Sequence, residues 1–234
     1  MQVSIKRVNA IIKKDWKDLL KNSYILVTLL MPLAFAVYIG RSGTEADYLS
    51  TYPINLALVI AGSFVQAAMV AEEKEKNTLR GLVLSPASTI EILIGKSGLT
   101  AITTTLVIIG CALLSEFTSS STPLFIVSLL LGLIIYITIG TVLGLLSRTV
   151  METSIIGMPV LIVFGMGSMI KTMTENEAVI KVIDFLPSER LNAIWLASSD
   201  STFNDILIHM LVLLIWVVIA LATAIVIYRK RQFD

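Results

Sequence analysis

Apolar residues in this chain gather into long blocks separated by short polar stretches. Six blocks, at 24–40, 54–71, 98–114, 124–146, 155–170 and 206–228, each have roughly the length that a helix needs to cross a hydrocarbon core about 30 Å thick. Pro32 falls inside the first and is expected to kink it. Residues 4–20 follow another rule. Ile5, Val8, Ile12, Trp16 and Leu19 recur at spacings of three and four, with lysines and aspartates on the remaining positions. That spacing predicts an amphipathic helix lying in the membrane surface, its charged side towards water and headgroups.

Two connections are longer than a simple turn. The stretch 72–97 begins with Glu72, Glu73 and Glu75 alternating with Lys74 and Lys76. An amphipathic piece follows, then the break at Ser85-Pro86, then a second short helix over 89–96 with Ser88 as its cap. Exposed leucines beside fixed charges fit docking to another protein, and they fit equally a helix lying on lipid. The stretch 171–205 is too apolar for a free loop and too broken to span. Around Leu186 and Pro187 it carries Phe185, Leu191, Ile194 and Trp195, which predicts two short helices entering the membrane face. Re-entrant backbone of that kind needs cover from protein or water. Interfacial helices with Trp195 at headgroup level are the other reading.

Composition supports a membrane protein. Of the 234 residues, 56% are hydrophobic and 15% charged, against about 25% charged in soluble domains, and mean hydropathy is +0.86. The expected fold is all-α, with residues 1–22 as an interfacial helix and 23–234 as a single six-span domain. Lysine and arginine set the orientation. Six spans place fourteen of these cations on the side that holds both termini and the 72–97 and 147–153 connections, and four on the other. Both ends are therefore expected in the cytoplasm. No A-x-A-like site follows the basic first stretch, so a cleaved signal peptide is not expected. A net charge of +1 suggests no nucleic-acid partner.

Candidate chemistry is sparse. Cys111 and His209 are the sole cysteine and histidine, so no metal cluster is expected. Glu116, Lys171 and His209 fall near span ends, which argues against an ion-driven carrier with a charged midplane site and against an intramembrane enzyme. Gly95-Lys96-Ser97 looks like the end of a phosphate-binding loop, but Ile90 stands where that loop needs glycine. Nucleotide binding by this chain is not expected, and Lys96 is placed at headgroup level.

The 72–97 stretch resembles the loop after the second span of type-2 ABC exporter permeases, the ABC-2 type membrane subunits. Glu73, Glu75, Thr78, Leu79, Leu82, Ser85, Pro86, Glu91, Gly95 and Lys96 match the family pattern, and Asn77 stands where glycine is usual. The resemblance extends to the basic first helix, the six spans and the longer segment before the last span. It implies that residues 5–20 form an elbow helix. It also implies that 72–97, with Glu72, couples to a separate ABC ATPase, and that Arg148 to Thr153 adds a smaller contact. Two ATPases, holding ATP and Mg, would act with two permeases, identical or homologous, in a bacterial plasma membrane. The chain itself would bind no cofactor. Phe185, Leu186, Pro187 and Trp195 would lie in a hairpin closing the outer mouth. Met158, Phe164, Met166 and Met169 give span five a soft face suited to hydrophobic or amphipathic cargo such as a peptide, drug or lipid-linked molecule, or simply to packing. Gly140 and Gly144 allow close helix approach, within the bundle or at a permease seam. A secondary transporter or channel is the alternative, and such a protein has no reason to keep this loop.

Overall fold

The computed structural model describes residues 4–42, 47–75, 89–119, 121–197 and 202–231, and among them the regular structure is entirely helical. Helix α1 (Ile5–Lys21) is separated by Asn22 from α2 (Ser23–Ser42). Next comes a continuous rod of α3 (Asp47–Ala57), a π-helical stretch (Leu58–Val65) and α4 (Gln66–Glu75). Then follow α5 (Thr89–Leu114), α6 (Thr122–Leu146), α7 (Val150–Gly165), α8 (Gly167–Met173), α9 (Glu177–Asp184), α10 (Pro187–Trp195) and α11 (Phe203–Arg231).

Five of these helices are long and apolar enough to cross a membrane: Ser23–Ser42, Leu49–Glu75, Ile94–Leu114, Thr122–Leu146 and Phe203–Lys230. The rod lies at the centre, with 94% of its apolar window buried, whereas α11 has 11% buried and leans on α6 and α10. Its outward leucines, isoleucines and valines form a surface suited to lipid.

Three expectations change. The rod begins at Asp47, with Pro53 inside it, although the polar 41–53 stretch predicts a loop up to that proline. Tertiary contacts override the local signal: the Tyr52 ring packs on Phe35, and Ser115 Oγ donates to the Ser50 carbonyl oxygen at 3.3 Å. The predicted short helix over 89–96 and the span from 98 are one helix, α5, without a break at Gly98. The predicted fifth span is two helices, α7 and α8, with the join at Met166 (φ −114°, ψ 12°) between Gly165 and Gly167. Pro159 inside α7 also lacks the backbone donor an interior position supplies.

The rod and α6 approach closely because Gly140 and Gly144 have no side chain. A Cβ at Gly140 would lie 2.3 Å from the Ser63 carbonyl oxygen, and one at Gly144 would lie 2.6 Å from that of Ala67. The glycine pair therefore serves packing inside one chain. Polar side chains tie the same helices. Ser63 Oγ donates to the Tyr136 carbonyl oxygen at 2.8 Å, Gln66 Nε2 to Thr141 Oγ1 at 3.0 Å, and Thr100 Oγ1 to Gln66 Oε1. In lipid such bonds act between helices that have no hydrophobic reason to associate.

Candidate functional site

Two polar regions stand at opposite ends of the bundle. The first gathers α1, the end of α4 and the start of α5. Helix α1 buries Ile11, Asp15 and Leu19, while Ile5 and Trp16 remain exposed. Of the predicted apolar stripe, Leu19 is buried, Val8 and Ile12 are partly buried, and Ile5 and Trp16 face outward. Asp15, assigned from sequence to the water-facing side, points into the protein and is 2% exposed. The cause is Lys96. Its Nζ lies 3.4 Å from Asp15 Oδ2 and 3.0 Å from Glu73 Oε1, and Lys14 Nζ also bonds Glu73.

Lys96 and Glu73 are themselves buried within the protein. Gly95 permits the contact, since a Cβ there would stand 2.8 Å from Ile11 Cγ2. The glycine and lysine that mimic a phosphate loop are the place where α1 crosses α5. A second tie joins the same helices: Arg7 Nη2 lies 2.8 Å from Glu91 Oε1, and Arg7 Nε lies 3.0 Å from Glu91 Oε2, a two-pronged pairing with a buried carboxylate.

These charges shift one another. Burial is the largest influence on Asp15 and raises its carboxyl above the usual range, against the pull of Lys96 and Lys14. Burial lowers Lys14, but its hydrogen bond to Glu73 and the charges of Glu73, Asp15 and Asp18 outweigh this and leave it raised.

The end of α4 also organises the next two helices. Lys74 Nζ donates to the carbonyl oxygens of Leu145 (2.7 Å) and Ser147 (2.9 Å), at the C-terminus of α6, where a cation is favoured. Glu75 Oε2 accepts from the Val150 backbone N–H at 3.0 Å, at the N-terminus of α7, where a carboxylate is favoured. Thr149 caps α7 by accepting from Glu152 N at 3.1 Å, and Glu152 reaches back to Arg148 N at 2.6 Å.

Of the predicted coupling residues, Glu73 faces inward, Glu75 meets α7, and Glu72 Oε2 lies 3.4 Å from Asn22 Nδ2. Thr78, Leu79, Leu82, Ser85 and Pro86, like the expected Ser88 cap, lie outside the described residues.

The opposite end holds the short helices α9 and α10. Trp195, one candidate for the headgroup belt, is fully buried. It stacks with Phe117 and Phe125, and its Nε1 donates to Ser128 Oγ at 2.9 Å. Leu186 and Pro187 are buried; Phe185 is partly exposed, and its carbonyl oxygen accepts from Trp216 Nε1 at 2.9 Å. A chain of donors runs from Asn55 Nδ2 to Asn192 Oδ1 (2.6 Å), from Asn192 Nδ2 to Ser168 Oγ (3.1 Å), and from Ser168 to Glu189. It fastens the rod to α10 and α8. Sequence reading missed this chain and the α1 ion pairs, because their members are far apart in sequence and no local spacing marks them.

Phe164 stacks edge-on against Tyr136 and Trp216. Met158, Met166 and Met169 are exposed on α7, the join and α8.

No curated protein matches the chain. The sequence model of one family, described as ABC-2 family transporter protein, matches residues 41–226, from the last turn of α2 to deep within α11.

Proposed function

The chain belongs to the ABC-2 transporter family, whose members are membrane transport subunits, and from that premise we propose that it is the permease of an ATP-driven exporter. A separate ABC ATPase, in two copies with their ATP and Mg, supplies the energy. A second permease, identical or homologous, completes the path in a bacterial plasma membrane. The chain crosses six times, with α7 and α8 together as the fifth crossing, and both termini are cytoplasmic. The hairpin of α9 and α10 closes the outer mouth, and the cargo is hydrophobic or amphipathic.

The observation that carries this reading is the connectivity around residues 76–88. Helices α4 and α5 flank that segment, and both are tied to α1 through buried charges. Lys74 and Glu75 extend the connection to α6 and α7. The two helices that flank 76–88 are thus joined directly to each other, to α1 and, through Lys74 and Glu75, to α6 and α7. Motion of an ATPase docked there would be transmitted to the spans, and the permease would need no chemistry of its own.

Gentle purification of the full chain from its native membrane tests the proposal. An ATPase with phosphate-binding-loop motifs is expected to co-purify, and ATP hydrolysis by that complex is expected to fall when Leu82 is replaced by aspartate. A chain that moves solute down an ion gradient with no nucleotide-hydrolysing companion would overturn the proposal.

A further inference from the structure

Between α8, α9, α10 and the start of α11 lies a polar cavity of about 620 Å³, lined by Lys171, Asp184, Glu189, Arg190, Asn192 and His209 among others. Two of its charged groups form an ion pair, and Glu189 and Arg190 are each met by an uncharged side chain. Lys171 pairs with Asp184. Glu189, in the first turn of α10, accepts from Ser168 on α8.

Arg190 is different. It is partly buried, and no carboxylate lies within ion-pair distance of it among the described residues. Its Nη1 lies 2.9 Å from His209 Nδ1, and its Nε is buried with no hydrogen-bond partner. A guanidinium cannot shed its proton, and its planar fork fits two oxygens of one oxyanion. A buried donor left unmade is costly.

We propose that this cavity binds an oxyanion of phosphate-ester or carboxylate type, received by the Arg190 guanidinium, with Lys171 and Asn192 as further donors in the same cavity. The source is either the phosphate of a bilayer lipid headgroup or a soluble or cargo-borne oxyanion. The proposal does not rest on ATP coupling, because it is argued from residues of α8, α9, α10 and α11 alone.

The test uses the full chain in a nonionic detergent, with its unfolding midpoint followed against three probes: inorganic phosphate, dihexanoyl phosphatidylglycerol and dihexanoylglycerol. A saturable rise with a phosphate-bearing probe and none with dihexanoylglycerol is expected. Response to inorganic phosphate identifies a soluble oxyanion; response to the phospholipid alone identifies a headgroup. Arg190→Gln is expected to weaken binding at least tenfold, while Arg229→Gln, at the other end of α11, leaves it unchanged. If Arg190→Gln yields no folded protein, Arg190→Lys keeps the charge and loses the fork, and a severalfold weakening is expected. The same titration in wild type and the folded Arg190 variant, or no phosphate response in wild type, would overturn the site. Neither result bears on the ATPase proposal, since no ATPase is present.

Discussion

Lys96 Nζ sits in a place that is 3% exposed, between Asp15 and Glu73. Removing Lys96 leaves Asp15 and Glu73 buried with the partly exposed Lys14 to meet them, at a cost of up to about 3–5 kcal/mol. Lys96→Met is therefore expected to lower the stability of the purified chain by roughly that amount in denaturant titration. Lys171→Met, at an ion pair more than a third exposed on both sides, is expected to change it by less than about 1 kcal/mol. Equal effects would contradict the burial argument.

The same cluster gives a pH signature. Asp15 is raised, so the folded state holds its proton more tightly than the unfolded chain, and stability falls as pH rises from the usual carboxyl range through the raised value. Lys14 is raised too; its contribution is complete below the usual ammonium value and is lost as pH climbs through the folded one. Both act in one direction, so α1 should loosen in alkali. A spin label at exposed Lys17 is expected to gain mobility as pH rises above the usual lysine range. Loosening in acid instead would contradict the assignment.

Helices that cross at glycine depend on backbone contact. Gly140→Ala places a methyl group 2.3 Å from the Ser63 carbonyl oxygen, and overpacking of that kind costs about 1–3 kcal/mol. The substitution should lower the unfolding midpoint and spread the rod from α6, which distance measurements between labels on the two helices would detect. Unchanged stability and spacing would show that the contact is slack.

At this scale, sequence and structure can be compared directly. Long apolar blocks are legible because lipid demands continuous helix and an apolar exterior, and the 124–146 block emerges as α6 nearly unchanged. The fifth block misleads because glycines on both sides of Met166 split it, which hydropathy does not register. The amphipathic spacing of α1 locates the helix but not the face that packs, because Asp15 is drawn inward by Lys96, far along the chain. Trp195 has the same lesson: an aromatic near a span end suits the headgroup belt, yet Ser128 and two phenylalanines bury it.

The central rod joins the two polar ends, with Asn55 bound to the α10 network at one and Glu73 bound to Lys96 and Lys14 at the other. A π-helical stretch lies between them, with every residue buried. Displacement of α4 along its axis would therefore be felt at the hairpin. The proposal turns on where the displacing force enters, which is the 76–88 segment between α4 and α5. The most direct measurement is photocrosslinking in cells from a benzophenone amino acid at Leu82, with a second at Leu113, an exposed residue near the opposite end of α5, as the control. The account predicts a crosslink from Leu82 to an ATP-hydrolysing subunit and none from Leu113. Crosslinks from Leu82 to lipid alone, with no ATPase captured, would contradict it.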